Sequence, residues 1–276
     1  MTDRQANRLI FITGASAGIG AATAHAFGSS GDSLVLGARS LDKLEALAEE
    51  LERIHPIQVL PIRLDVTDQA SVENAVQVAI ERFGHIDVLF NNAGIGKLDW
   101  LESMDVESDL ERQIDVNLLG VMRMSKAVLP HMQARRSGHI INMASMAGYV
   151  ATPTYTIYAA SKFGVRGFSE ALRREVKPWG IDVSAIFPAG VRTDFAREAV
   201  ASRKTKITTP SSLALTPKSV ATWVVRLAKR PRRSLVLPRI AGLAVGLNRI
   251  CPGWIDEIVV RLFVKRERAE DLKQGN

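Results

Sequence analysis

The sequence predicts a doubly wound α/β fold, a seven-stranded parallel sheet with helices on both faces. Three observations carry this expectation. Short apolar runs alternate with longer helical stretches along the chain, the pattern of a parallel sheet covered on both sides. The first apolar run passes directly into a glycine-rich turn and then into a helix-forming run. With 276 residues, 46% of them apolar, the chain is long enough to bury one large core.

The elements follow in order. Leu9-Ile-Phe-Ile-Thr13 reads as a short buried strand, and Ala21-Ala-Thr-Ala-His-Ala-Phe27 lies within a helix over 18–29. Further strands are expected at 33–37, 58–63, 87–91, 138–143, 181–187 and 234–237. Between them lie helical runs at 41–54, 69–83, 105–134, 156–177 and 217–229. Asp68, at the end of Asp65-Val-Thr-Asp68, is placed to cap the third helix. Such a sheet binds its ligand at the carboxyl ends of its strands, where Gly14, Asn91 and Ser145 stand. The reading divides the chain into a single domain over 1–230 and a tail over 231–276, made of the last strand and a basic, apolar helical extension.

Composition removes several alternatives. The 20 Gly and 11 Pro are scattered, and no internal repeat supports a solenoid or propeller. Cys251 is the only cysteine, so no internal disulfide can form, and no Cys/His set has metal-ligand spacing. A reducing cytosol fits, and the polar start Met1-Thr-Asp-Arg-Gln-Ala-Asn-Arg8 lacks the apolar stretch of a secretory signal. No metal is expected.

The glycine turn Gly14-Ala-Ser-Ala-Gly18-Ile-Gly20 suits a pyrophosphate. Its glycines let the backbone approach closely, and the following helix offers free N–H groups and a favourable dipole to an anion. Downstream, Tyr158 and Lys162 are four residues apart and so share one helix face. A free phenol titrates near pH ~10, too high for ready proton exchange at neutral pH, and a fixed ammonium beside it favours the phenolate. A phenol so placed becomes a proton donor; a surface helix carrying the same spacing by chance is the alternative.

Taken together, Thr13-Gly-Ala-Ser-Ala-Gly-Ile-Gly20, Asn91-Asn-Ala-Gly94, Asn117, Ser145 and Tyr158-x-x-x-Lys162 resemble the short-chain dehydrogenase/reductase family in its compact, non-extended form. The resemblance covers residues from about 8 to about 195, and it implies a Rossmann-like fold and hydride transfer between a nicotinamide cofactor and a carbonyl or alcohol carbon. It makes Tyr158 the general acid/base, with Lys162 lowering its pKa and holding the nicotinamide ribose. Ser145 would donate to the substrate oxygen, and Asn117 would position a water joining Lys162 to solvent. Gly14, Ser16, Gly18, Ile19 and Gly20 would cradle the phosphates. Asp65 and Val66 would hold the adenine, while Asn91, Ala93 and Gly94 belong to a segment that would pack on the cofactor and stabilise the central strand. Pro188, Val191 and Thr193 would close over the nicotinamide, although Ala189 stands where the family usually has glycine.

Cofactor choice rests on the end of the second strand. There an NAD enzyme places an acidic residue on the ribose 2′-hydroxyl, but this chain has Ala38 followed by Arg39. Arg39 offers a forked donor to a 2′-phosphate, with Ser16 or Ser40 beside it, so NADP(H) is favoured over NAD(H); a solvated loop arginine is the alternative. Residues 194–217 read as a polar, basic connection containing Arg197, Arg203, Lys204 and Lys206, in the place of a substrate lid.

Charge is unevenly spread. Residues 226–276 contain 12 Lys/Arg and 5 Asp/Glu, so the whole net charge of +7 falls in the tail and the first 225 residues balance. The tail also holds Ile240 to Leu247 and Trp254 to Val264, apolar stretches too short to span a bilayer. Over 231–268 this mixture suits a helix pair on an anionic membrane surface, or a hydrophobic subunit interface with a basic rim. A homodimer or homotetramer, cytoplasmic or membrane-associated, is expected, without nucleic acid. The substrate is a small carbonyl or alcohol, lipophilic if Met143, Met146, Ala147, Tyr149 and Tyr155 line its pocket. The competing class is a cofactor-binding scaffold without turnover.

Overall fold

The computed structural model describes residues 8–199 and 214–269. Seven strands form one wholly parallel sheet: β1 (Leu9–Thr13), β2 (Ser33–Ala38), β3 (Val59–Arg63), β4 (Val88–Asn91), β5 (Gly138–Met143), β6 (Ile181–Pro188) and β7 (Ser234–Leu237). Their order is β3-β2-β1-β4-β5-β6-β7, so the direction of winding reverses beside β1 and opens a crevice there. The helices are α1 (Gly18–Gly28), α2 (Leu41–Ile54), α3 (Gln69–Phe83), α4 (106–135), α5 (Thr156–Glu175), α6 (Asp194–Ala199), α7 (Pro217–Lys229), α8 (Ala241–Ile250) and α9 (252–267).

Alternation along the strands sorts the core into two layers. Ile10, Ile12, Leu34 and Leu36 face Phe27, Leu44, Leu51, Val220 and Val224 on α1, α2 and α7. Their neighbours Leu9, Phe11 and Val35, joined by Leu89 and Ile140, face Val72, Val76, Met124, Val128 and Leu172 on α3, α4 and α5. Helix ends obey local chemistry: the Asp68 carboxylate accepts the Ala70 N–H at 3.0 Å to start α3. Gly84, at φ +79°, ends it in the left-handed conformation that glycine adopts without penalty.

The amino ends of the strands are held by charge. Arg8 forks onto Asp32, with Nε to Oδ1 at 3.0 Å and Nη2 to Oδ2 at 2.8 Å. Asp87 accepts the Leu9 N–H at 2.8 Å and pairs with Arg135 at 3.2 Å. The carboxyl ends are left to the crevice.

Several expectations change in detail. The long helical run contains two π-helical turns, Val106–Glu111 and Asp115–Leu119, which widen the helix around Asn117. Residues read as open connection include α6, whereas Arg203, Lys204 and Lys206 lie outside the described residues. Leu235 and Leu237 of β7 are buried in the same core as β1 and β2, as the expected seven-stranded sheet requires. The basic excess is also divided. Arg230, Arg232 and Arg233 are exposed just before β7, at the amino end of the sheet, whereas Arg239, Arg249, Arg261 and Lys265 belong to the segments that follow its carboxyl end.

Candidate active site

A cleft of about 1210 Å³ opens at the carboxyl ends of the strands. One wall is the turn from β1 into α1. Gly14 and Gly18 adopt φ +65° and +57°, and a Cβ on Gly20 would sit 2.1 Å from the Gly14 carbonyl oxygen. Only glycine leaves this turn its close backbone path. Ala17 precedes α1 and provides no side-chain cap, so the first helical amides are left facing an external acceptor. This uncapped cradle fits a dinucleotide pyrophosphate. Ser16, Gly18 and Ile19 line the cleft beside Gly14, and Gly20 is buried behind them.

The turn is locked to β4 from behind. The Asn92 side-chain amide donates to the carbonyls of Thr13 at 3.0 Å and Gly14 at 3.1 Å. Buried Thr13 Oγ1 accepts the N–H groups of Asn92 and Ala93 at 2.9 and 3.0 Å. Ala93 and Gly94 line the cleft. Asn91 does not: its Nδ2 turns inward and donates to Asn142 at 2.9 Å and Ser125 at 3.1 Å. Of the two roles expected of this segment, Asn91 takes the one inside the sheet, because alternate residues of a strand point to opposite faces. Asn92 is the residue that sequence reasoning passed over.

At the adenine end the cleft is lined by Arg39, Ser40, Asp65, Val66 and Thr67, joined by Arg112 from α4. Burial would raise the Asp65 pKa, but the Thr67 N–H and hydroxyl, donating at 2.9 and 2.7 Å, and the charges of Arg39 and Arg112 bring it below its ordinary value. Asp65 thus both makes a local turn and faces the cleft. Nothing in the sequence pattern singled out Arg112, which lies 47 positions beyond Asp65.

The opposite end carries the chemistry. Ser145 caps a short turn over Met146–Gly148, its Oγ accepting the Ala147 N–H at 3.2 Å. Tyr158 and Lys162 stand one turn apart on α5, the Lys162 Nζ 5.6 Å from the Tyr158 ring centre. Burial pushes the Tyr158 phenol up to about 12, a hydrogen bond with Ser145 opposing the rise. Burial pulls the Lys162 ammonium down to about 8. Its Nζ donates to the Met143 carbonyl oxygen at 3.1 Å. The expected lowering of the Tyr158 pKa by Lys162 is therefore not what the protein alone displays: removal from water raises the phenol, and what opposes the rise is the Ser145 hydrogen bond and not the Lys162 charge.

Asn117 is wholly buried and does not line the cleft. Its Oδ1 accepts the Ile95 N–H and its Nδ2 donates to the Ile95 carbonyl, both at 2.8 Å, with Ser161 Oγ at 3.4 Å. It pins the loop after β4 against the widened helix. Pro188, Val191 and Thr193 lie on the cleft wall, and the Thr193 methyl would contact a Cβ on Gly18 at 3.5 Å, so this segment reaches across to the glycine turn. Around Tyr158 the lining is apolar: Leu98, Met143, Met146, Ala147, Val150 and Tyr155, with Phe195 of α6 6.2 Å from the Tyr158 ring. Tyr149 is elsewhere, packed on Phe187 at 4.4 Å. Among the described residues no Asp, Glu, His and Cys cluster could hold a metal.

The short chain dehydrogenase model matches residues 8–204. "Oxidoreductase BOA17" of Botryotinia fuckeliana is 41% identical over 189 residues, 68% of each chain. "Dehydrogenase/reductase SDR family member 7B" of Bos taurus is 31% identical over 274 residues, 96% of this chain and 82% of that one. A Burkholderia phymatum short chain dehydrogenase/reductase solved with NAD superposes with a TM-score of 0.79 at 28% identity, covering 88% of this chain and 93% of its own. A Sphingobium yanoikuyae short-chain dehydrogenase solved with NADPH gives 0.77 at 29% identity, covering 90% and 95%. The glycine turn, the cleft and these likenesses agree, and the chain belongs to the short-chain dehydrogenase family of oxidoreductases.

Proposed function

We propose that this protein transfers hydride between NADP(H) and the carbonyl or alcohol carbon of a lipophilic small molecule. The observation that carries the reading is the meeting of Tyr158, Ser145 and Lys162 at one end of a cleft whose other end is an uncapped glycine turn. The cofactor, when bound, supplies or accepts the hydride. Gly14, Ser16, Gly18, Ile19 and Gly20 would hold its pyrophosphate, and Asp65 and Val66 its adenine. Pro188, Val191 and Thr193 would take its nicotinamide side.

The protein's own groups then manage one proton. A Tyr158 phenol raised to about 12 keeps its proton at neutral pH and can give it to a substrate oxygen as negative charge develops there. Ser145, whose single O–H is shared with that phenol, would turn it to the same substrate oxygen as a second donor. Lys162 stays an ammonium below about pH 8 and stabilises the phenolate left behind. In oxidation the same groups run in reverse.

NADP(H) is favoured by Arg39, which faces the cleft at the end of β2 where no carboxylate stands to receive a ribose hydroxyl. A lipophilic substrate is favoured by the apolar wall around Tyr158. The test is oxidation of NADPH and of NADH against aliphatic, aromatic, steroid and 3-oxoacyl carbonyls, with Tyr158→Phe beside the wild type. Turnover by the wild type that falls about a hundredfold or more in the variant supports the reading. A variant at the wild-type rate removes Tyr158 from the chemistry, and cofactor binding without turnover of any class supports a scaffold.

A further inference from the structure

The tail after β7 is built inside out. Of the sixteen large apolar side chains exposed among the described residues, nine lie between Ile240 and Phe263. On α8 the outward stripe is Leu243, Leu247 and Ile250, continuing from Ile240, with exposures of 53–79%. The sheltered side carries the smaller Ala241, Val245 and Asn248. On α9 the stripe is Trp254, Ile258 and Leu262. No helix among the described residues is long and apolar enough to cross a membrane. An apolar face of this extent marks an interaction site.

Three observations identify the occupant. First, exposed Arg239, Arg249 and Lys265 belong to the same segment as the stripes and form no ion pair among the described residues, although Arg261 pairs with Glu257 and Arg268 with Glu102. Second, residues 239–269 carry six Lys/Arg against three Asp/Glu, a positive excess that an anionic lipid surface neutralises while it takes the apolar stripe. Third, the helices stand at the mouth of the cleft. Ala244 of α8 is part of its lining. At the far end Arg268 packs on the Trp100 ring at 3.8 Å and pairs with Glu102, next to cleft-lining Leu98.

We propose that α8 and α9 dock on an anionic bilayer surface and set the mouth of the cleft against it, so that a lipid-dissolved carbonyl reaches Tyr158 without crossing water. The second half of this rests on the function proposed above. The docking itself does not.

The test uses the full chain and vesicles, either of phosphatidylcholine alone or of equal parts phosphatidylcholine and phosphatidylglycerol, separated by flotation. The wild type is expected to float with the anionic vesicles and to be released by raised salt. Leu243→Asp/Leu247→Asp, two exposed positions, is expected to lose flotation by about tenfold or more while binding NADPH as the wild type does. A wild type that stays at the bottom of the gradient, or a doubly charged variant that floats equally well, overturns the docking. So does a dimer dissociated by the same substitutions, which would assign the face to a second copy. Flotation with no turnover on any carbonyl would instead count against the reading of the cleft.

Discussion

Replacing Lys162 with methionine should abolish turnover and make the folded protein more stable. Lys162 is 4% exposed, and its ammonium titrates near 8 in place of 10.5 because burial strips its water. At about 1.4 kcal/mol per unit, holding the charge in the folded state at neutral pH costs about 3 kcal/mol. Methionine keeps most of the chain's volume without the charge, but the Met143 carbonyl loses its donor, a loss of about 1 kcal/mol. The net expectation is a gain of about 2 kcal/mol in urea unfolding at pH 7, read from the midpoint at constant slope. The pH dependence is the sharper check. Between pH 8 and 10.5 the unfolded chain holds a proton on Lys162 that the folded chain has released, so wild-type stability rises with pH through that window. The variant lacks this rise, and the gap between the two must narrow as the pH approaches 10. Above pH 10 Tyr158 acts oppositely, because its folded pKa is the higher one and stability falls as the unfolded phenol ionises. A variant less stable than wild type at pH 7, or a gap that widens toward pH 10, would refute burial as the cause of the Lys162 shift.

Arg39→Asp should raise the KM for NADPH and move the NADPH-to-NADH ratio of kcat/KM toward NADH by about tenfold or more; an unchanged ratio would remove Arg39 from the phosphate site. Gly20→Ala places a Cβ 2.1 Å from the Gly14 oxygen, so the turn must distort and NADPH affinity, read by fluorescence titration, should fall at least about tenfold. Wild-type affinity there would show that the turn has room to relax. Asn91→Ala removes two buried hydrogen bonds and should lower stability by about 2 kcal/mol in urea while leaving the NADPH Kd unchanged. A Kd that rose with it would return Asn91 to the cofactor site.

The strands were legible because each is a short apolar run between breaks, and their ends fall within a residue of expectation. The chemical residues were legible because helical spacing ties Tyr158 to Lys162 and because Ser145 follows a strand. What escaped has a common cause. Asn91 and Asn92 are adjacent and identical in type, and only the facing of the strand decides which meets the cleft. Arg112, Leu98 and Ala244 reach the cleft from segments far apart in the sequence and joined only by tertiary packing. The charge of the tail could be counted but not located, since β7 carries the chain from one end of the sheet to the other and parts Arg230, Arg232 and Arg233 from Arg239 and Arg249.

Because every strand runs the same way, Asp32 and Asp87 belong to an anchoring rim and Ser145 and Tyr158 to a working rim, with the thickness of the sheet between them. Among the described residues the two rims share no side chain. A change in the ionic clamps at Arg8 or Arg135 is therefore felt as a shift in melting rather than in rate, and the working rim can be rebuilt for another substrate while the anchor is left untouched.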